Sequence, residues 1–293
     1  MDKSNVIVLG KFDGVHVAHE CLIKKAVEIS GKLNKKTLVY SMQKKDISWI
    51  TNETQKETFI KGIGADCVVF KSLDKEFMSM SAEVFVKDIL IDELNAAHVV
   101  VGENFRFGKD RLADVNDLKS LLNVFGVEVT IIDTIRIDGF DVSSTAIRAF
   151  LSKGEISNAN KYLGRRYSVR GRVSEGKHLG RTLGFPTANI YPDKNTILPK
   201  NGVYLTYTKY SGKTYKSITN IGINPTIDNA TSVRAETHLF DFGGNLYGEE
   251  ITVEFIDFIR PEINFNSVEE LKNQVEKDKQ KALEMHNKKS FAD

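Results

Sequence analysis

The residues richest in chemistry lie just past the middle of the chain, in Gly180-Arg181-Thr182-Leu183-Gly184-Phe185-Pro186-Thr187-Ala188-Asn189. Two glycines permit close backbone approach to a ligand, Arg181 offers a planar fork of donors, and Pro186 fixes the turn that presents Thr187 and Asn189. A hydroxyl and an amide oxygen two residues apart fall on one side of an extended segment, so both can point at one hard cation or one phosphate chain. The same composition describes a polar hairpin turn, and the stretch alone leaves both readings open.

Three loops in the first half carry a second set. Gly10-Lys11-Phe12-Asp13-Gly14-Val15-His16-Val17-Ala18-His19 spaces two imidazoles three apart. If a helix begins there, they share a face of its first turn, beside backbone N–H groups that suit a triphosphate. A metal pair would need further ligands, and no third histidine lies nearby to complete a zinc set. Two surface histidines are the plain alternative. Gly102-Glu103-Asn104-Phe105-Arg106-Phe107-Gly108-Lys109 alternates aromatics with Asn104 and Arg106, a pattern able to cradle a planar ring and a charged group, or simply to plug the core with phenylalanine. In Val142-Ser143-Ser144-Thr145-Ala146-Ile147-Arg148 the serines read as helix caps, and Arg148 sits where it can clamp a phosphate at the helix N-terminus.

The elements around these loops follow from periodicity. Val6 to Leu9 is a continuous apolar run, the pattern of a central parallel strand buried on both faces. A helix over 20–33 with Gly31 near its end, a strand over 37–40, a helix over 54–63, a short buried strand over 67–70, a helix over 81–94, a strand over 98–102, a helix over 115–125 and a strand over 127–132 follow in turn. That rhythm predicts a doubly wound parallel sheet with ligands at the carboxyl ends of its strands. A helix over 154–164, capped by Ser157 and stopped by Gly164, reads as the hinge. Beyond it, alternating β-branched and aromatic runs predict a small antiparallel β-barrel, closed by a helix opening at Ser267. The expected domains are 1–160 and 161–293.

Composition bounds the partners. A chain of 293 residues with 27% charged and 41% hydrophobic residues has the balance of a soluble globular protein of two domains. A net charge of +2 gives no global argument for nucleic acid or a membrane surface, so any anion must be held locally. Cys21 and Cys67 suggest no disulfide framework, and the apolar run before Gly10 is too short for a signal peptide or a membrane span, so the expected location is cytoplasmic. Neither half shows an oligomer seam, which leaves monomer and homo-oligomer both open.

Taken together and in order, the three loops resemble the histidine-signature nucleotidyltransferase half of the bacterial bifunctional riboflavin kinase/FAD synthetases. The second half resembles the kinase domain of the same family in 176–189, Gly202-Val203-Tyr204, Asn220-Ile221-Gly222, Pro225-Thr226, Glu236-Thr237-His238-Leu239, Leu246-Tyr247-Gly248 and Arg260-Pro261. The resemblance implies two reactions, phosphorylation of riboflavin to FMN and adenylylation of FMN to FAD, with ATP as co-substrate and Mg²⁺ in both. It implies that Glu236 orients and deprotonates the riboflavin hydroxyl, that Thr187 and Asn189 contact Mg²⁺, and that Gly180, Arg181, Gly184 and Pro186 line the same ATP. In the first half it assigns catalysis to His16, His19 and Arg148 and ATP contacts to Gly10, Phe12, Asp13, Gly14, Asn104, Ser143, Ser144 and Thr145. Flavin contacts fall to Phe105, Arg106 and Phe107. The chain departs from the family at Ala18, where glycine is usual, and over 40–45, where a Pro-His-Pro segment is usual. A single retained activity and a non-catalytic flavin-binding regulator are the rival expectations.

Overall fold

A computed structural model of the chain describes residues 4–44, 47–174, 185–225 and 231–289. Gly180, Arg181 and Gly184 therefore lie outside the described residues. The chain divides into two compact units, Met1–Ser144 and Thr145–Asp293.

In the first unit, β1 (Asn5–Gly10), β2 (Lys36–Gln43), β3 (Cys67–Ser72), β4 (Ala96–Gly102) and β5 (Glu128–Ile132) form a parallel sheet in the order β3-β2-β1-β4-β5. Val6 to Leu9 are fully or almost fully buried, as a doubly covered central strand requires. Helices α1 (Val17–Leu33), α2 (Glu53–Ile63), α3 (Lys75–Ser79), α4 and α5 (Val115–Asn123) connect the strands. Helix α4 starts as Ala82–Val84, capped by the Ser81 hydroxyl, and widens into π-helical turns over Phe85–Glu93. Strand order reverses on either side of β1, so the loops after β1 and β4 open at the switch point where such sheets bind ligands.

Several local expectations are corrected. Strand β3 is half-exposed, because it forms the sheet edge and has a partner on one side. Helix α1 begins three residues earlier than expected, at Val17, and after Leu33 it is closed by Asn34, which takes the left-handed conformation and donates back to Gly31 and Ser30 carbonyls. Strand β2 continues to Gln43, paired with β3 along its length.

The second unit opens with α6 (Ser144–Lys153) and α7 (Ile156–Leu163). Ser157 does not cap α7: the chain turns at Gly154 (φ +78°), the helix begins at Ile156, and Glu155 occupies the cap position without a side-chain bond. Gly164 ends α7 in the left-handed region. Strands β8 (Tyr167–Ser174), β9 (Ala188–Ile190), β10 (Gly202–Tyr210), β11 (Lys213–Pro225), β12 (Thr231–Leu239) and β13 (Glu250–Arg260) close into an antiparallel barrel in the order β10-β11-β12-β9-β8-β13. Alternation along β10 sends Tyr204, Thr206 and Thr208 to one side and Val203 and Leu205 to the other, and all five are buried. Val203 and Leu205 pack with Ala282 of the terminal helix α8 (Val268–Lys289), which opens on the Ser267 hydroxyl accepting the Glu270 N–H at 3.1 Å. On the opposite side a chain of hydroxyls, Thr208–Ser217–Thr206–Thr219–Thr237, is linked at 2.8–2.9 Å with every member fully buried. A one-residue slip between strands would leave these polar groups unpaired, so the chain pins the register. A hairpin of β6 (Arg136–Ile137) and β7 (Phe140–Asp141) precedes α6 in the first unit.

Candidate active sites

The loop after β1 is strained and wired on several sides. Phe12 (φ +50°) and Val15 (φ +40°) hold left-handed conformations that side chains, β-branched ones above all, rarely adopt. A Cβ on Gly10 would meet the Phe12 ring at 3.0 Å, so the glycine is what lets that ring fold back into the core, where it is fully buried. Only the backbone of Phe12 is left to meet a ligand. The Asp13 carboxylate accepts the Ile50 N–H at 2.9 Å, the Gly14 N–H donates to the Thr51 hydroxyl at 3.1 Å, and the Lys11 carbonyl accepts from Ser41 Oγ and Lys56 Nζ, each at 3.1 Å. Ser144 Oγ donates to the Asp13 carbonyl at 2.8 Å, which ties the third loop to the first across 131 positions of sequence. That hydroxyl therefore braces the loop rather than capping α6.

His16 is the N-cap of α1. Its Nδ1 accepts the His19 N–H at 3.4 Å, an acceptor role that places the proton of the neutral ring on Nε2. The rings of His16 and His19 stack with centroids 3.6 Å apart, and Phe12 packs against His19 at 5.0 Å. His16 is 5% exposed. No cluster of three or more His, Cys, Asp or Glu side chains able to hold a metal occurs among the described residues.

At the carboxyl end of the neighbouring β4, Asn104 donates to Thr134 Oγ1 at 2.9 Å and Arg106 pairs with Asp114 at 3.3 Å. Phe105 is half-buried and stacks on Phe107, which is buried against Phe85. Phe107 thus fills the core, and Phe105 is the partly open ring of the pair. Ser143 is half-buried and Thr145 exposed. Arg148 lies one helical turn beyond Ser144 in α6, half-buried.

In the second unit the register builds the site. Asn189 on β9 and Asn220 on β11 each stand directly opposite Glu236 on β12, so three polar side chains form a row across adjacent strands. Asn189 is 5% exposed, and its Oδ1 has no hydrogen-bond partner among the described residues. Glu236 pairs with Arg234 at 2.7 Å, two residues back on the same face. Burial pushes the Glu236 carboxyl above the ordinary range, the Arg234 guanidinium opposes this, and the Glu262 carboxylate adds to it. His238, next on that face, has Nδ1 at 2.9 Å from the Pro186 carbonyl and packs edge-on against Phe185. It therefore holds the segment that delivers half-buried Thr187, one residue before β9. A buried amide oxygen without a partner among the described residues, on a residue paired with Glu236 and two positions after Thr187, supplies oxygen donors of the kind that fit a hard cation.

These arrangements match known proteins. The family description FAD synthetase fits residues 1–146, and the description Riboflavin kinase fits residues 163–286. The bifunctional riboflavin kinase/FMN adenylyltransferase of Listeria monocytogenes is 34% identical, covering 95% of this chain and 91% of its own length. The Escherichia coli K12 protein of the same name is 32% identical, with 95% and 92% covered. The chain belongs to the bifunctional riboflavin kinase/FMN adenylyltransferase family. The crystal structure of a Streptococcus pneumoniae protein called a macrolide-efflux protein superposes with a TM-score of 0.86 at 30% identity, covering 94% of this chain and 93% of that one. What it shares with the present chain is the fold of both units. Among the described residues no helix is long and apolar enough to cross a membrane.

Within this family frame, sequence reasoning missed Thr51, Lys56 and Arg234, and it gave Asn220 and His238 no role of their own inside the segments that match. Thr51, Lys56, Asn220 and His238 act through partners distant in sequence or on another strand, whereas Arg234 reaches Glu236 two residues along its own strand.

Proposed function

We propose that the chain makes FAD in two ATP-dependent steps, riboflavin to FMN in residues 161–293 and FMN to FAD in residues 1–160. The observation that carries the kinase step is the row Asn189–Glu236–Asn220, with an unpartnered buried amide oxygen facing a carboxylate of raised proton affinity. The riboflavin 5′-hydroxyl oxygen forms the new bond to the γ-phosphorus as the bond to the β-bridging oxygen breaks, leaving ADP. The proton leaves late in such a loose transition state, so Glu236 acts chiefly by aligning the hydroxyl and then accepts its proton. Thr187 and Asn189 would hold Mg²⁺, which supplies charge neutralisation on the phosphate oxygens when bound. His238 acts on this step indirectly, by fixing Pro186 ahead of Thr187.

In the second step an FMN phosphate oxygen attacks the α-phosphorus of ATP and pyrophosphate departs with the bonding pair. Charge builds on that leaving group, so donors already aimed at it lower the barrier without reorganising. His16, with its proton on Nε2, His19, Arg148 and the N–H groups of the 10–14 loop are the donors we assign. Asn104, Phe105 and Arg106 are assigned to the nucleotide and flavin from the neighbouring strand end. The free thiols of Cys21 and Cys67 are consistent with a reducing, cytoplasmic setting.

Purified protein given riboflavin, ATP and Mg²⁺ is expected to yield FMN and then FAD on chromatography. Flavin that binds and is recovered unchanged would refute both steps, and FMN that accumulates without FAD would remove the second.

A further inference from the structure

Lys56 sits in the first turn of α2 and is 2% exposed. Lysine is almost never buried so completely without a paired charge, and the positive end of a helix is an unfavourable place for it. Its ammonium donates to Gln43 Oε1 at 2.7 Å and to the Lys11 carbonyl at 3.1 Å, both uncharged oxygens, with the Phe70 ring 5.8 Å away. The Gln43 amide in turn donates to the Glu53 carboxylate, which fixes the direction of its carbonyl. Desolvation pulls the ammonium pKa down while Asp13 and Glu53 push it up. So costly an arrangement calls for a reason beyond packing.

The target of the ammonium supplies one. Lys11 and Phe12 share a trans peptide, so drawing the Lys11 carbonyl toward Lys56 and Ser41 turns the Phe12 N–H to the opposite side. The clamped peptide leads directly into strained Phe12 and, three residues on, Val15. We propose that Lys56 is a positioning residue for adenylyl transfer, its ammonium, aimed by Gln43, holding the Lys11 carbonyl so that the 10–14 loop keeps the shape that meets the ATP polyphosphate. The proposal rests on reading the first unit as the adenylyltransferase. It gives Gln43 a task in the very segment where the chain departs from the family's Pro-His-Pro pattern.

The test uses the full chain with Lys56→Met and Gln43→Leu. FAD formation from supplied FMN is followed at varied ATP and varied FMN, and FMN formation from riboflavin is followed in the same samples. Trp49 is the only tryptophan and neighbours Ile50, which binds Asp13, so its emission reports whether the first unit is folded around the loop. Lys56→Met is expected to lower kcat for FAD about 100-fold, the scale of a small misplacement of reacting groups, and to raise KM for ATP but not for FMN. Riboflavin phosphorylation is expected to stay within about twofold, since that site lies in the other unit. Gln43→Leu is expected to lower FAD formation about tenfold by releasing the ammonium from its aim. FAD kcat within about threefold of the parent in a Lys56→Met protein with native Trp49 emission would overturn the proposal. If Lys56→Met loses that emission, Gln43→Leu decides, and unchanged FAD formation there overturns it. A parent protein that makes FMN but never FAD would instead remove the adenylyltransferase reading on which the proposal stands.

Discussion

Asn189 and Glu236 face each other directly across β9 and β12, and the buried amide oxygen of Asn189 has no partner among the described residues while Glu236 is held by Arg234. A buried acceptor left unmade costs about 1–3 kcal/mol, so the pair is built at the expense of the ligand-free fold. Glu236→Gln keeps the shape and removes the proton acceptor. We expect FMN formation to fall by about 10²–10⁴-fold, with FAD formation from supplied FMN unchanged. Parallel assays of the two products check this, and loss of both would contradict separate sites.

Asn189→Leu replaces the orphaned oxygen with apolar surface of similar size. The ligand-free protein is expected to unfold at the same temperature or higher, because removing an unsatisfied buried group is neutral to stabilising. The added thermal protection conferred on the second unit by Mg²⁺ and ATP is expected to disappear. Melting curves with and without Mg²⁺ and ATP decide it. A variant still protected by both would remove Asn189 from the cation site.

Arg260 at the end of β13 grips Asp278 of α8 through both carboxylate oxygens, at 2.6–2.9 Å, and Gln274 adds a bond at 2.9 Å. Asp278 is 5% exposed, so Asp278→Ala strands a guanidinium in a largely buried position. The expected loss is about 3–5 kcal/mol. It should be read as a lower urea midpoint for riboflavin kinase activity, with the adenylyltransferase midpoint unmoved.

His98 on β4 is buried, its Nε2 2.8 Å from Thr130 Oγ1. Desolvation holds its pKa below the usual value, and nearby Glu128, itself exposed, only partly opposes this. The unfolded chain therefore takes up the proton first as pH falls. The neutral ring's contribution to stability is full above an unfolded value of about 6.5 and is lost as pH drops through the lower folded value. Urea titrations read by Trp49 emission should show the first unit weakening below about pH 6.5, and His98→Phe should flatten that step. An unchanged slope in the variant would assign the acid sensitivity elsewhere.

Much of the fold is legible residue by residue, because helix and strand periodicity are local. The apolar run Val6 to Leu9 demanded a central strand, the β-branched alternation of the second half demanded antiparallel strands, and glycines at 10, 14 and 64 marked turns that the backbone makes there. The misreading of Ser157 is also local: the chain turns at Gly154 and Glu155 takes the cap position, two residues before it. Whether β3 is central or an edge lies in strand order, which no window of its own residues contains.

The sequence by itself determined the class of each half, and through family likeness it singled out His16, His19, Glu236 and Asn189 as candidate site residues. Only the tertiary structure decided how they are held. Parallel pairing of Gly10 with Ser41 brings β2 beside the first loop, where Ser41, Gln43 and Lys56 secure it, and antiparallel register lines Asn189 and Asn220 up against Glu236. Ser144 reaches Asp13 from 131 positions away. Such contacts depend on which strands become neighbours and in what register, and that is settled by burial over the whole sheet or barrel rather than by any short stretch of chain.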